Sequence, residues 1–404
     1  VAEHIVHQLK SCLVETTDLE FKVVDRKSIF VNGWYRPNSP EAKAQRFGNK
    51  NSGNFIWMYG VTRLINPYTT KFARHSTQPV SALVIGSANS LHLPMDKGYE
   101  KKKGIMKNYM NLVQTIDKPS IVLGIGIQAK FSDVNDTKSI KLHEPQVAFM
   151  NEIAKRNTGK SVSVRGEFTE TACINAGVMN AISLGCPSLT ISRTLDLGKD
   201  LETKWNKVAW QLAMGEYTMK IGIGLPAIKP GDPQYGKIID MLLSICEGHD
   251  CYFIAQSPAD RPKLLKYAQD KVDEEKFLYF QEDVESWFEF MSTLDFVVST
   301  RIHGGMAGIS NEIPTIIVPS DLRILELVNA MILPHIPYED AIEKNFTSLA
   351  ELMAAANKDF KEFEINRRNR VKEYRRMLGS VGLEMDPALL DIIIDEKGAD
   401  GLRG

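Results

Sequence analysis

Several features that would settle a function class at once are missing from this 404-residue chain. Its five cysteines, Cys12, Cys173, Cys186, Cys246 and Cys251, are odd in number, scattered, and form no C-x-x-C pair. That spacing indicates neither a structural zinc site nor a disulfide framework, and a reduced compartment is the simplest reading. No apolar run approaches the ~20 residues of a membrane span. An excess of one charge is also lacking: 49 Lys and Arg stand against 50 Asp and Glu, a net charge of −1. A chain so balanced has no global field for gripping a polyanion, which disfavours nucleic acid as the main partner. A small anion needs only a local basic pocket. No H-E-x-x-H or Asp-x-Asp pattern occurs, so no metal is expected, and no G-x-x-x-x-G-K-[ST] loop is there to hold ATP. Gly124-x-Gly126 lacks the third glycine of a dinucleotide fingerprint.

What is present is ordinary for a globular protein: 43% hydrophobic and 25% charged residues, over a length that allows two cores. Short apolar runs ending in glycine or small polar residues recur at Ser81–Ile85, Ser120–Leu123, Ser161–Val164 and Ala181–Leu184. They recur again at Met219–Ile223, Cys251–Ile254, Phe277–Phe280, Asp295–Thr300 and Thr315–Val318. Continuous apolar runs of this length read as strands buried on both faces, hence parallel. Helical spacing separates them, at 109–116, 167–176 closed by Gly177, 201–214, 236–247, 260–271, 284–293 and 304–311. The pattern predicts an α/β protein of two doubly wound domains facing across a cleft. The expected divisions are 1–200 with an unplaced leader at 1–45, 201–345, and charged C-terminal helices and tail at 346–404, packed across the outside. A strand is read at Lys22–Val24 within the leader.

In such folds ligands bind beyond the carboxyl ends of the strands, so the residues just after strands carry the functional reading. Ser299-Thr300-Arg301-Ile302-His303-Gly304-Gly305 is the most informative segment. Arg301 can grip a carboxylate or phosphate through two hydrogen bonds, and Gly304 and Gly305 open a helix whose N–H groups suit an anion. His303 titrates near neutrality and can give or take a proton there. The bland alternative has Arg301 pairing with a nearby carboxylate and His303 as a hydrogen-bonded core residue. Arg165, in Ser163-Val164-Arg165-Gly166-Glu167, also follows a strand and precedes a helix; two such arginines suit a substrate with two anionic groups. The Gly/Asn-rich stretch Phe47–Asn54, with Gly53 and Asn54, can cradle an anion or sugar hydroxyls, and Asn89 sits in a further post-strand loop. His92 and His143 are weaker candidates, and His249 reads as a solvated turn residue. Most of the five tryptophans read as core, with Trp34 and Tyr35 able to stack on a sugar face.

Ser161–Glu167, Ala176-Gly177-Val178 and Gly185-Cys186-Pro187-Ser188-Leu189 resemble the middle of the polysaccharide pyruvyl transferase family. Asp295–Gly304 with Ile313-Pro314 resembles its Arg-x-His-Gly signature and following strand, and Asn51-x-Gly53-Asn54 its N-terminal turn. The resemblance runs from about residue 47 to 330, with no likeness at 1–45. It implies a glycosyltransferase-B-like pair of Rossmann-like domains. It also implies transfer of pyruvate from phosphoenolpyruvate to a saccharide, free or lipid-linked, with release of phosphate and no cofactor. His303 is then the acid or base, with Arg301, Arg165, Gly304, Gly305, Gly53, Asn54 and Asn89 binding substrate. Two other readings compete. One is a nucleotide-sugar glycosyltransferase with Glu326 as a ribose-binding carboxylate, that residue being equally a helix-surface charge. The other is a non-catalytic saccharide-binding protein. With the cysteines read as reduced and no targeting signal evident, the compartment reads as cytoplasmic, membrane association included; because the chain starts at Val1, the secretory-pathway lumen is the alternative should a targeting segment have been removed.

Overall fold

The structure is a computed structural model that describes residues 26–33, 51–93, 99–129, 140–215, 217–227, 231–268, 271–280, 283–344 and 346–400. The strand expected at Lys22–Val24, Trp34, Tyr35, Phe47–Lys50 and Cys12 lie outside those residues. The apolar runs do form parallel strands. A six-stranded sheet has the order β2-β1-β3-β5-β7-β8 and a five-stranded one the order β11-β10-β9-β12-β13. In the first, β1 is Lys27–Asn32, β2 Thr70–Phe72, β3 Ala82–Gly86, β5 Ser120–Ile125, β7 Val162–Val164 and β8 Ala181–Ser183. A small parallel pair, β4 (Leu91–His92) and β6 (Ile127–Gln128), flanks it. In the second, β9 is Lys220–Gly224, β10 Asp250–Ala255, β11 Phe277–Tyr279, β12 Phe296–Ser299 and β13 Thr315–Ile317. Every pairing in both sheets is parallel. The chain builds each sheet outward on one side and then crosses to the other, so the order reverses between β1 and β3 and between β9 and β12. These are doubly wound α/β sheets, and the two reversals mark where a ligand belongs.

The strands are apolar because both faces are covered: Ala82–Gly86, Ser120–Ile125 and Phe296–Ser299 are buried throughout. Three tryptophans, Trp57, Trp205 and Trp287, are core as expected, whereas Trp210 is 64% exposed. β1 carries only three consecutive apolar residues, Ile29-Phe30-Val31, between Lys27-Ser28 and Asn32, too short a run to read as a strand from sequence. No helix among the described residues is long and apolar enough to cross a membrane.

Three expectations are corrected. Cys246 and Cys251 are joined in a disulfide, their Cα atoms 5.8 Å apart. The turn between helix Pro233–Ser244 and β10 brings together two residues too far apart in sequence to read as a C-x-x-C pair. The bond removes the ground on which a reduced compartment was read, since disulfides persist in oxidising surroundings. His249 in the same turn is half-buried, and burial lowers its pKa; the backbone N–H of Met219 donates to its Nδ1 at 3.4 Å. The C-terminal helices do not simply lie outside. Phe360–Ser380 buries Phe363, Arg367, Val371 and Tyr374. Arg367, wholly buried, donates to the carbonyls of Thr194 and Leu195 at 2.7 and 3.3 Å and pairs with Glu364 at 2.8 Å. The charged pattern that suggested packing across the outside is spent in part on the segment between the sheets. Further on, Ile65 bridges Met385, and Asn66 donates to Glu384 at 3.1 Å, so the chain returns to the first sheet's side.

The two sheets' layers touch where Gly166, just after β7, meets Glu326 of helix Leu322–Met331. A Cβ at Gly166 would stand 2.3 Å from Glu326 Cγ and 2.9 Å from its backbone oxygen. The φ of 179° is one any residue adopts, so the constraint is space alone. Gly166→Ala should therefore lower stability by about 1–3 kcal/mol, the usual cost of overpacking. A denaturant midpoint that drops at constant m-value checks this; an unmoved midpoint would show that the helix gives way freely.

Candidate active site

Arg165 leaves the end of β7 and is 2% exposed. Its Nε donates to the Gly124 carbonyl at 3.2 Å and its Nη1 to Asn89 Oδ1, while Nη2 has no partner. The Gly124-x-Gly126 turn serves this arginine. Gly124 has φ +75°, and a Cβ at Gly126 would come 2.4 Å from Arg165 Cδ. Burial lowers the Arg165 pKa and Arg323 adds to that, against the attraction of Glu326 and Asp321. A buried guanidinium with an unspent N–H is a cation prepared for an anion.

His303 lies in the first turn of helix Ile302–Ser310, 8% exposed, with Nε2 3.9 Å from Cys186 Sγ. Burial foremost, then the charges of Arg165 and Arg323, holds its pKa down to about 3, against an ordinary 6.5. The imidazole is therefore neutral at physiological pH and can accept a proton. Arg323 was not singled out from sequence. It follows β13 by a short loop, where Asp321 caps helix Leu322–Met331 by accepting from the N–H groups of Arg323 and Ile324. Its Nε donates to Asp321 at 3.1 Å, and its Nη1 reaches across to Gln128 Oε1 at 3.1 Å. The strand-end rule that picked Arg165 applies equally here and would have found it.

Arg301 takes the bland alternative in part. Its Nη2 pairs with Asp260 at 2.7 Å and reaches the Pro226 carbonyl at 3.3 Å, leaving Nε buried without a partner. Gly53 and Gly304 both stand against Gln256, and Gly305 against Ile317 of β13. Asn54 is in the first turn of helix Gly53–Leu64, its Oδ1 accepting from Trp57 Nε1 at 3.3 Å. The structure thus brings Arg165, Asn89 and His303 together, with Arg301 turned toward Asp260 beside them. His92 is buried in β4, and His143 is the N-cap of helix Glu144–Lys155. Glu326 is no surface charge. Its two oxygens accept the backbone N–H (2.7 Å) and hydroxyl (3.1 Å) of Thr169, capping helix Glu167–Asn175 from the other sheet's layer. Burial, opposed by those bonds and by Arg165, pushes its pKa up to about 7. Among the described residues no three His, Cys, Asp or Glu side chains converge as a metal site would need.

The chain is similar along most of its length to several solved structures, at low identity. A glycosyltransferase from Rickettsia africae is 9% identical, with 87% of this chain and 99% of that one covered at a TM-score of 0.37. The N-terminal domain of a Candida albicans trehalose-6-phosphate phosphatase is 9% identical over 96% and 98% of the chains, with a TM-score of 0.44. A Methanocaldococcus jannaschii UDP-GlcNAc 2-epimerase is 10% identical over 80% of each, at 0.38. No curated protein matches the chain. A family model for polysaccharide pyruvyl transferases matches residues 2–321, which takes in residues 2–45, outside the resemblance seen in the sequence. With that model spanning most of its length and the family's Arg-x-His-Gly segment at the strand end, the chain belongs to the polysaccharide pyruvyl transferase family.

Proposed function

We infer that the protein transfers the pyruvyl skeleton of phosphoenolpyruvate to two hydroxyls of a saccharide, free or lipid-linked, forming a cyclic ketal and releasing phosphate. The observation that carries this is the buried Arg165, with its Nη2 unspent, beside Arg323 and a neutral His303. Two guanidinium groups around a neutral imidazole suit a small donor with a carboxylate and a phosphate next to its reacting carbon. A sugar hydroxyl adds to the central carbon as the methylene takes up a proton, and His303 takes the proton of the hydroxyl. The bond from that carbon to the phosphate oxygen then breaks, its electron pair leaving with phosphate, and the second hydroxyl closes the ring. Two hydroxyl protons are lost in all; one is matched on the new methyl group and one on phosphate. His303 is thus the base, Asn89 holds Arg165, and no cofactor takes part. Glu326 is committed to Thr169 and has no lone carboxylate to offer a ribose, which weighs against a nucleotide-sugar donor.

Phosphate release from phosphoenolpyruvate with a panel of aryl glycosides, read with product masses, tests the reaction. The expected result is acceptor-dependent phosphate and a product heavier by a pyruvate ketal. Turnover with a sugar nucleotide instead, and none with phosphoenolpyruvate, would overturn it.

A further inference from the structure

Beside His303 lies a second group of polar atoms that takes no part in the proton transfer. Gln256 follows β10, is 2% exposed, and its amide Nε2 has no partner. Its carboxamide is wedged between the starts of two helices. A Cβ at Gly53 would come 2.4 Å from Gln256 Oε1, and one at Gly304 would come 2.7 Å from Nε2. The missing side chains of these two glycines are what makes room for it. Ser52, also 2% exposed, donates its backbone N–H to the Gln256 carbonyl at 2.9 Å, yet its hydroxyl is buried without a partner. Arg301 Nε is buried and unpartnered, and its guanidinium is joined to the Gln256 backbone through Asp260. The nine-residue helix Ile302–Ser310 starts here with no side-chain cap.

Leaving one buried polar group unpaired costs stability, and three of them around one uncapped helix start call for a ligand. Gln256 Nε2, Arg301 Nε and the helix N–H groups are donors only, and Ser52 can donate. Several donors converging on a positive helix end fit a tetrahedral oxyanion better than a sugar hydroxyl, which must also donate. We propose that Gln256 and Ser52, with Arg301 and the start of helix Ile302–Ser310, bind the phosphoryl group of the donor and retain the phosphate as it departs. This rests on the donor named under Proposed function. It leaves Arg165 and Arg323 to the donor's carboxylate. Asp260 is the positioning residue: it accepts the N–H groups of Gln256 (3.0 Å) and Ser257 (2.9 Å) on one oxygen and Arg301 Nη2 (2.7 Å) on the other. One buried carboxylate thereby fixes both the Gln256 backbone and the direction of the Arg301 guanidinium.

Inorganic phosphate titrated calorimetrically into the wild-type protein and into Gln256→Met, which keeps the volume and removes both N–H donors, tests the subsite. The affinity should fall tenfold or more in the variant. In turnover, the KM for phosphoenolpyruvate should rise by a similar factor, while inhibition by pyruvate, which has no phosphoryl group, stays unchanged. Equal phosphate affinity in the two proteins, no phosphate binding to the wild type, or a change confined to the acceptor's KM would overturn the proposal. Should Gln256→Met fail to fold, Ser52→Ala carries the same test, because its hydroxyl has no internal bond to lose; a drop of about threefold is expected there and none would overturn it. Phosphate binding that depends on Gln256 without any turnover of phosphoenolpyruvate would uphold the subsite and sink the reaction. Turnover with Gln256 indifferent to phosphate would do the reverse.

Discussion

His303→Ala should lower turnover by about 10²–10⁴-fold, the range expected on removing a positioned acid or base, with the fold retained. Among the described residues the imidazole has one weak polar contact, to the Cys186 thiol at 3.9 Å, so its loss breaks little of the hydrogen-bonding that holds the structure together. Its pKa, down to about 3, has a further consequence. A base that stays unprotonated well below its ordinary 6.5 keeps the free enzyme competent in mild acid, so no fall in kcat/KM near pH 6.5 should trace to this group. Stability follows the same shift. Between pH 6.5 and about 3 the unfolded chain binds a proton at His303 that the folded chain does not. The stabilisation is complete above 6.5 and disappears as pH falls through that window. In His303→Ala the acid limb of the stability curve should be flatter. An unchanged limb, or near-normal turnover in the purified variant, would sink the assignment.

Glu326 has the opposite sign. Its folded pKa, about 7, lies above the ordinary 4.5, so the folded chain binds the extra proton and the contribution is present below 4.5 and lost as pH rises through 7. Between 4.5 and 6.5 the two slopes oppose each other within one interface between the sheets' layers. Removing His303 therefore exposes the falling slope of Glu326, which Glu326→Gln would remove in turn.

The strands were legible because burial on both faces leaves no choice of residue type: Ala82–Gly86 and Phe296–Ser299 are apolar or small from end to end. From that alternation, the strand-end rule led to Arg165, Arg301 and His303. It did not lead to their partners. Asp260 begins a helix some forty residues before Arg301, and only the neighbouring positions of β10 and β12 on either side of β9 bring the two to 2.7 Å. Glu326 looked like a helix-surface charge because periodicity records which face of a helix is polar, not what that face meets; here it meets Thr169. Arg367 was hidden likewise, by a charged pattern whose cations are spent on backbone carbonyls. Long-range polar pairing is a product of the finished fold, and no local signal announces it.

Arg165→Met separates binding from structure. Truncating one partner of a buried, hydrogen-bonded charge pair costs about 2–5 kcal/mol, or roughly 30- to 4,000-fold in affinity. The KM for phosphoenolpyruvate should rise within that range. Stability should move little. The variant loses bonds to Gly124 and Asn89, each worth about 1 kcal/mol, and is relieved of burying a cation with an unspent N–H. A structural arginine would show the reverse, a lower denaturant midpoint with an unaltered KM. The neighbouring imidazole supplies an independent readout. Arg165 is one of the two cations that depress His303, behind burial itself, so its removal should raise the His303 pKa partway toward 6.5. The acid limb of kcat/KM should shift upward with it. Arg165→Lys retains a charge there but not the planar fork that reaches Gly124 and Asn89 at once. It should therefore leave the His303 limb near its wild-type position while still weakening the donor, and a lysine variant as competent as wild type would show that charge alone, without the fork, is what the site requires.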